Sequence, residues 1–202
     1  MPRTRRDVEL LGVDTLHHGR YHFDRYRVRY KTFAGTWSHE VEREMLDRGH
    51  TVSVLPYDPL LDQVVLIEQF RPGAFVAGDE NPWLWEIVAG VIEKGEQPIE
   101  VAHRECEEET GLMPSDMLPI REFYCSPGAV TEFNRVFVGR VAAGAAGGLH
   151  GLQDEGEDIR VFAMPSTQAF EAIEQGKIRT TPALVSLAWL KDHRDELRQR
   201  WR

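Results

Sequence analysis

The sequence predicts a fold of the α/β (α+β) class: a mixed sheet covered by helices, preceded by a small antiparallel β region. Two patterns support this. Residues 21–45 alternate along the chain with the period of a β-strand, which is typical of a hairpin or meander. From residue 51 onward, strands and helices interleave without a regular βαβ repeat, and this favours a mixed sheet with helices packed on its faces.

The N-terminal β region carries basic side chains on one face and larger or β-branched side chains on the other. Its two faces hold Arg25, Arg27, Arg29 and Lys31 against Tyr26, Val28, Tyr30 and Thr32. The segment Asp47-Arg48-Gly49 is rich in turn-forming residues, so we place a boundary there. The chain then divides into a β region at residues 1–48 and a main domain at residues 49–202.

The main domain is predicted to hold six strands and three helices. The strands are expected at 51–55, 64–70, 83–92, 120–125, 135–141 and 159–163, and the helices at 97–110, 166–175 and 182–199. Pro98 near the start and Gly111 just past the end mark the first helix. Pro56-Tyr57-Asp58-Pro59 is expected to join the first two strands, and residues 142–148 are expected to form a flexible loop.

Composition excludes several classes of protein. A formal net charge of −9 and a pI near 5.4 argue against a general nucleic-acid binder, which needs a basic surface. Cys106 and Cys125 are too few for a disulfide scaffold. Neither a signal peptide nor a membrane span is expected, because no long apolar run occurs, so the expected location is the cytoplasm, without membrane or nucleic-acid partners.

The helix predicted at residues 97–110 combines an apolar face with an acidic edge. At about 100° per residue, Ile99, Ala102 and Cys106 share the face that we expect to pack on the sheet. Three glutamates lie together beside that face: Glu105, Glu108 and Glu109.

Those glutamates are unfavourable without a cation. Like charges at helical spacing cost roughly 0.2–0.5 kcal/mol per pair, and the C-terminal end of a helix disfavours negative charge. Carboxylate oxygens are ligands that Mg²⁺ and Mn²⁺ prefer, so a metal site is the sharper interpretation and a solvated acidic face is the alternative. Arg104 lies four residues before Glu108 and can orient its carboxylate.

The spacing of the whole segment is more specific than the helix alone. Its fixed positions are Gly90, Glu96, Arg104, Glu105, Glu108, Glu109 and Gly111, followed by the apolar Leu112. This pattern resembles the Nudix box. The one mild departure is Cys106 at a position that is usually aliphatic, where cysteine can serve as a small buried apolar residue.

The resemblance implies a Nudix α/β/α sandwich that hydrolyses a nucleoside diphosphate linked to another group. It implies that Glu105, Glu108 and Glu109 bind the metal ions, Mg²⁺ with Mn²⁺ as a possible substitute. It adds the backbone carbonyl of Ala89 as a ligand. Glu96 and Arg104 would organise the box, and Arg104 and Glu108 are expected to take part in catalysis.

Segments outside the box indicate a branch of the family. Pro127 lies fifteen residues after Leu112, a distance that resembles the bacterial ADP-ribose pyrophosphatase branch. Further similar segments begin at Ser38, Val65 and Trp85, so that the resemblance covers about residues 10–201. It implies that metal-activated water converts ADP-ribose to AMP and ribose 5-phosphate.

The resemblance also assigns substrate contacts. Arg71 would bind the diphosphate or terminal ribose, as a planar guanidinium suits phosphate, and Glu132 would bind the hydroxyls of the terminal ribose. Arg43 would reach the site of the second subunit in a homodimer formed through residues 1–48. The remaining substrate contacts are Trp37 and Tyr21 for adenine stacking, and Pro127 and Gly128. Surface, edge-strand, loop or packing roles are the alternatives for these side chains.

The acidic loop at residues 153–158 is expected to close over the site. By resemblance, Glu155 is the general base and Glu157 is a further metal ligand, with a solvated loop as the alternative. Two other functions stay open. One is hydrolysis of another nucleotide sugar, such as ADP-glucose or GDP-mannose, or of oxidised nucleotides. The other is a non-catalytic nucleotide-binding Nudix module, which typically lacks one or more box carboxylates.

Overall fold

A computed structural model describes residues 2–152 and 156–202, and these form two compact units. The first unit comprises the chain up to His50 together with Tyr124–Phe133. The second comprises Thr51–Phe123 and Asn134–Arg202. Among the described residues, no helix is both long and apolar enough to cross a membrane.

The first unit contains a three-stranded antiparallel sheet in the order β1-β2-β3. Its strands are β1 (Val8–His18), β2 (His22–Tyr30) and β3 (Val41–Asp47). The predicted antiparallel β region is confirmed, but β1 was not predicted. The register of β1 shifts between Leu10 and Gly12 and again between Thr15 and His17. Each irregularity breaks the two-residue alternation that identifies a strand in a sequence.

Residues 124–133 are attached to the end of β3. The Leu46 N–H donates to the Ala129 carbonyl at 2.8 Å, and the Thr131 N–H donates to the Leu46 carbonyl at 3.0 Å. The Thr131 hydroxyl also donates to the Asp47 carboxylate at 2.7 Å, and this bond, with one from the Gly49 N–H, lowers the pKa of Asp47. A turn far along the chain is thus fixed to the N-terminal sheet.

The second unit is built on an eight-stranded mixed sheet in the order β10-β11-β5-β4-β9-β8, with β6 paired to β5 and β7 paired to β4. Strands β4 and β9 are parallel, whereas β5 is antiparallel to β4, β6 and β11. The strands are β4 (His50–Asp58), β5 (Gln63–Phe70), β6 (Trp83–Glu86), β7 (Val88–Ile92), β8 (Asp116–Tyr124), β9 (Phe133–Arg140), β10 (Gly148–His150) and β11 (Ile159–Pro165). The helices are α1 (Pro72–Val76), α2 (Pro98–Thr110), α3 (Ser166–Glu174) and α4 (Thr181–Arg200).

The two faces of this sheet bury different helices. On β4, Leu55 and Tyr57 face a core that includes residues of α3 and α4. Val52 and Val54, whose side chains point to the opposite face, pack in a second core with the buried residues of α2. Because successive side chains on a strand point to opposite faces, one strand supplies both cores. The α/β/α layering predicted for the main domain is confirmed.

Three predicted boundaries differ from the structure. The predicted strand at residues 83–92 is two strands, β6 and β7, which pair with β5 and β4 respectively. Strand β4 continues through Pro56 to Asp58, whereas the sequence predicts a connection there. Pro56 lies opposite Gly139 of the parallel strand β9. The expected flexible loop at 142–148 includes a 3₁₀ turn, Ala143–Ala145, whose first N–H donates to the Asp58 carboxylate at 2.9 Å.

The end of α4 is held by a tryptophan. Trp201 is 2% exposed within the core formed with α3 and α4, and its indole N–H donates to the Asp116 carboxylate at 2.8 Å. The contact ties the last turn of the chain to the start of β8. This side chain therefore closes one face of the sheet.

Replacing Trp201 with Ala is expected to lower the free energy of unfolding by about 3–5 kcal/mol, since it opens a cavity and leaves Asp116 without its indole donor. Denaturant titration followed by circular dichroism measures the change. The control is Trp83→Ala, because Trp83 is 54% exposed; its expected cost is about 1 kcal/mol or less. Equal costs for the two variants would contradict the role given to Trp201.

Candidate active site

The box helix α2 begins and ends where its sequence requires. Gln97 precedes it, Pro98 occupies the first turn, and Gly111 ends it in the left-handed conformation with φ 69°. Val101, Ala102 and Cys106 are buried against the sheet. The prediction that Ile99 packs on the sheet was wrong, because it is 43% exposed and Val101 occupies the buried side of the first turn.

Glu109 lies deep beneath the box. It is 3% exposed, and one carboxylate oxygen accepts the Ala89 N–H at 3.2 Å. Burial raises the pKa of Glu109 well above its ordinary value. The Ala89 bond opposes this rise, whereas the negative charges of Glu105 and Glu157 add to it. A cation near this carboxylate would offset its burial.

Glu105 lies against the backbone of β7. A Cβ atom placed on Gly90 would come within 2.1 Å of the Glu105 carboxyl carbon, so any larger residue at that position requires the Glu105 side chain or the strand to shift. Burial raises the pKa of Glu105 to about 7; Arg104 opposes the rise, and Glu108 and Glu157 contribute to it. The glycine of the strand thus makes room for the glutamate of the helix, which gives a steric reason for this pair of residues in the box.

Arg104 contacts three box carboxylates. Its guanidinium lies 2.9 Å from Glu105, 3.1 Å from Glu108 and 3.7 Å from Glu96. Glu96 in turn accepts the Glu93 N–H at 2.8 Å, in the turn before the helix. The arginine therefore joins the loop to the helix and reduces repulsion between neighbouring glutamates.

Arg71 has a buried partner that the sequence analysis missed. Its Nε and Nη2 donate to the same oxygen of Glu86, at 2.8 and 2.6 Å. Burial alone would lower the pKa of Arg71, but the attraction of Glu86, with smaller contributions from Glu109 and Glu157, raises it. The available signal was a glutamate in the otherwise apolar segment Trp83–Glu86.

The acidic loop is described only in part. Glu157 accepts the Leu152 N–H at 3.1 Å, and its charge acts on Glu105, Glu109 and Arg71. The predicted base, Glu155, lies outside the described residues. Within residues 2–152 and 156–202, no three His, Cys, Asp or Glu side chains form a group that could hold a metal ion as they stand. The metal site stays a prediction.

The other predicted substrate contacts belong to the first unit. Glu132 is buried and its carboxylate lies 3.3 Å from the Arg48 guanidinium. Arg43, on β3, donates to the Glu42 carbonyl at 2.7 Å. Pro127 and Gly128 form the turn in which the Ala129 and Val130 N–H groups donate to the Ser126 carbonyl.

The two predicted stacking residues are partly exposed aromatics that already have cationic neighbours. Trp37 lies under the Arg29 guanidinium at 5.1 Å, with Lys31 at 5.8 Å. Tyr21 has the Arg48 guanidinium at 5.9 Å. Both retain exposed ring surface, and their role in adenine binding stays a prediction.

A cavity of about 410 Å³ lies on the sheet face that packs against α3 and α4. Glu68, Trp83, Trp85 and Lys177 are among the residues that line it. It contains none of the predicted site residues. The candidate chemistry therefore lies with the carboxylates of α2 on the other face.

Comparison with known proteins agrees with this geometry. Residues 47–184 match the NUDIX domain family. The chain belongs to the Nudix family. The ADP-ribose pyrophosphatase of Escherichia coli (strain K12) is 45% identical to this Nudix protein over 195 residues, covering 96% of this chain and 93% of the relative.

Other relatives extend the comparison. The ADP-ribose pyrophosphatase of Haemophilus influenzae is 39% identical over 201 residues, covering 98% of this chain and 93% of its own. The GDP-mannose pyrophosphatase of Shigella flexneri is 36% identical over 154 residues, covering 74% and 78%. A crystal structure of an ADP compounds hydrolase has a TM-score of 0.67 at 19% identity, covering 95% of this chain and 98% of its own, and this likeness shows the fold.

Replacing Gly90 with Ala tests the close approach of β7 and Glu105. The added methyl group must displace the carboxylate or the strand, so we expect the free energy of unfolding to fall by about 1–3 kcal/mol. Chemical denaturation measures it. The control is Gly144→Ala, because no atom lies within 4 Å of a Cβ placed there. An unchanged stability of the Gly90 variant would show that Glu105 moves aside freely.

Proposed function

We propose that this Nudix protein hydrolyses the diphosphate of ADP-ribose, giving AMP and ribose 5-phosphate. The observation that carries the hydrolase activity is a pair of carboxylates, the buried Glu109 and the largely buried Glu105, held against Ala89 and Gly90. ADP-ribose is favoured as the substrate because the relatives named for it match nearly the whole chain, including segments far from the box.

The reaction requires a divalent cation, for which we propose Mg²⁺ with Mn²⁺ as a substitute. The residues present fit such an ion, since buried, mutually repelling carboxylates with raised pKa values gain stability from a hard cation. The proposed ligands are Glu105, Glu108, Glu109, Glu157 and the Ala89 carbonyl. When bound, the ion supplies charge neutralisation and a water of lowered pKa.

The protein side chains position the reactants and move the proton. Arg104 holds Glu105 and Glu108 at fixed distances. Arg71 lies at the end of β5 and binds the diphosphate of the substrate through its planar donors. Glu155 accepts the proton of the attacking water. Positioning and charge neutralisation supply most of the rate enhancement in chemistry of this kind.

The first unit is proposed to contact the substrate and to form a homodimer. Five large apolar side chains of β1 are exposed: Val8, Leu10, Leu11, Val13 and Leu16. Exposed apolar clusters of this kind mark interaction surfaces. In the dimer Arg43 serves the site of the second copy, and Glu132, Trp37, Tyr21, Pro127 and Gly128 contact substrate. The cytoplasm is the proposed location, and it suits the two free cysteine thiols.

GDP-mannose is the second candidate substrate, because a GDP-mannose pyrophosphatase is 36% identical over three quarters of the chain. ADP-glucose and oxidised nucleotides need the same diphosphate chemistry. A non-catalytic nucleotide-binding module is disfavoured, since Glu105, Glu108 and Glu109 are all present.

A substrate panel tests the proposal. We expect release of AMP from ADP-ribose to exceed turnover of ADP-glucose, GDP-mannose and an oxidised dGTP, because the extended similarity is to ADP-ribose enzymes. Chromatography of the products, with Mg²⁺ and with chelator, measures it. Chelator should abolish turnover. Faster hydrolysis of another nucleotide would make that nucleotide the proposed substrate instead of ADP-ribose. No turnover of any of them would favour a non-catalytic nucleotide-binding module.

Variants of α2 test whether the hydrolysis depends on the carboxylates of this site. Glu109→Gln should lower kcat by at least about 100-fold, because loss of outer-shell partners of a metal ligand alone costs about 10- to 100-fold. The matched control is Glu107→Gln, in the same acidic run but exposed. Equal activities of the two variants would show that Glu109 is not part of the active site.

Metal affinity is expected to depend on pH. Since the pKa of Glu105 is about 7, its carboxyl carries a proton below that pH, and a cation must displace the proton to bind. The apparent affinity for Mn²⁺ should therefore fall about tenfold or more for each pH unit below 7 and level off above about pH 8. Calorimetry measures it. Glu105→Gln should bind more weakly and with a flatter pH profile; an identical profile would contradict the assignment.

A further inference from the structure

We propose that Glu86 is a positioning residue, which fixes the guanidinium of Arg71 for the diphosphate of the substrate. The inference rests on the proposed function, since it concerns how Arg71 meets a nucleotide. It assigns a role to a carboxylate that belongs neither to the box nor to the acidic loop.

The contact between the two side chains is side-on. Nε and Nη2 of Arg71 donate to one oxygen of Glu86, at 2.8 and 2.6 Å. This geometry engages one edge of the guanidinium, which carries five N–H donors in a fixed plane. The donors of Nη1 and the second N–H of Nη2 are not engaged by Glu86. They form the edge that can meet phosphate oxygens.

Glu86 is the more firmly held of the two partners. It is 8% exposed, lies on β6 opposite Ile67 of β5, and accepts a further bond from the Gln69 amide at 3.4 Å. Arg71 follows the last residue of β5, and its side chain is 40% exposed. A rigid, buried acceptor thus orients a side chain whose outer part reaches solvent, the arrangement expected for a residue that meets a ligand.

Glu86 also competes with the proposed metal ligands for Arg71. The charges of Glu109 and Glu157 act on the same guanidinium. Without Glu86, the attraction of those two carboxylates for Arg71 would remain unopposed. The arginine would then neutralise groups that a cation needs and would turn its donors away from the substrate. The Glu86 contact keeps the cationic side chain and the metal carboxylates apart.

The direction in which ADP-ribose affinity changes when Glu86 is replaced distinguishes a positioning role from a purely electrostatic one. Removal of a negative charge beside an anionic substrate should strengthen binding if charge alone mattered. Positioning predicts the opposite: Glu86→Ala should weaken ADP-ribose binding about 10- to 100-fold, the loss expected when a charge-assisted contact is misplaced. Glu86→Gln keeps an oxygen acceptor and should lie between the wild type and the Ala variant.

A double-mutant cycle on the full-length protein tests the assignment. The dissociation constant of ADP-ribose is measured by calorimetry with chelator present, and KM and kcat are measured with Mg²⁺. In the Arg71→Ala background, Glu86→Ala should cause no further loss of affinity, because its effect acts through Arg71. In the wild-type background it should raise KM more than it lowers kcat. Unfolding curves identify any variant that fails to fold. If Glu86→Ala does not fold, Glu86→Gln takes its place in the cycle.

The matched control is Glu68→Ala. Glu68 lies on β5, accepts bonds from Arg160 and the Trp85 indole, and faces the opposite side of the sheet from Glu86. Its loss removes a comparable ion pair and should leave the dissociation constant unchanged. Additive losses in the cycle, or tighter binding by Glu86→Ala, would overturn the role of Glu86 alone. Binding of ADP-ribose by the wild type with chelator, but no hydrolysis when Mg²⁺ is supplied, would overturn the proposed activity alone, and absence of binding under both conditions would overturn both.

Discussion

The interaction on which the rest of the site depends is the burial of carboxylates that repel one another. Glu109 is buried and Glu105 is largely buried in the second half of a helix, where the dipole already disfavours negative charge. The fold accommodates them through glycine at position 90 and a backbone N–H at position 89. Neither contact removes the repulsion, and this supports the proposal that a cation from outside the chain binds here.

The sheet separates this acidic site from an apolar core, because successive residues of one strand face opposite sides of the sheet. Side chains alternate along β5, so that Leu66 and Glu68 face α3 and α4 while Ile67 and Gln69 face the other side. Arg71 emerges where that strand ends, and β6 returns Glu86 to the same edge. The strand pairing thus determines which charged groups reach the site and which stabilise the opposite face.

The sequence alone was sufficient to recognise the box, but it did not predict the contacts between other strands that surround the box. The spacing of Gly90, Glu105 and Glu109 is encoded within one strand–helix segment, so it can be recognised without knowing the tertiary structure. Glu86 contacts Arg71, fifteen residues away in the sequence, only because β5 and β6 pair. A single glutamate in an apolar strand does not indicate in the sequence which residue it will contact. Strand β1 was missed because its bulges break the alternation, and Ile99 was misplaced because helical periodicity leaves the exact buried edge open.

A net charge of −9 makes the arrangement of the few basic groups near the site decisive. An anionic substrate approaching an acidic protein gains little from long-range attraction, so the local contacts must supply the binding energy. Arg104 is engaged by the box glutamates and stabilises them against one another. Arg71 is engaged on one edge only, which leaves its other donors for phosphate. We therefore propose that the two arginines have different roles: Arg104 stabilises the acidic cluster, and Arg71, held by Glu86, offers positive charge to the substrate.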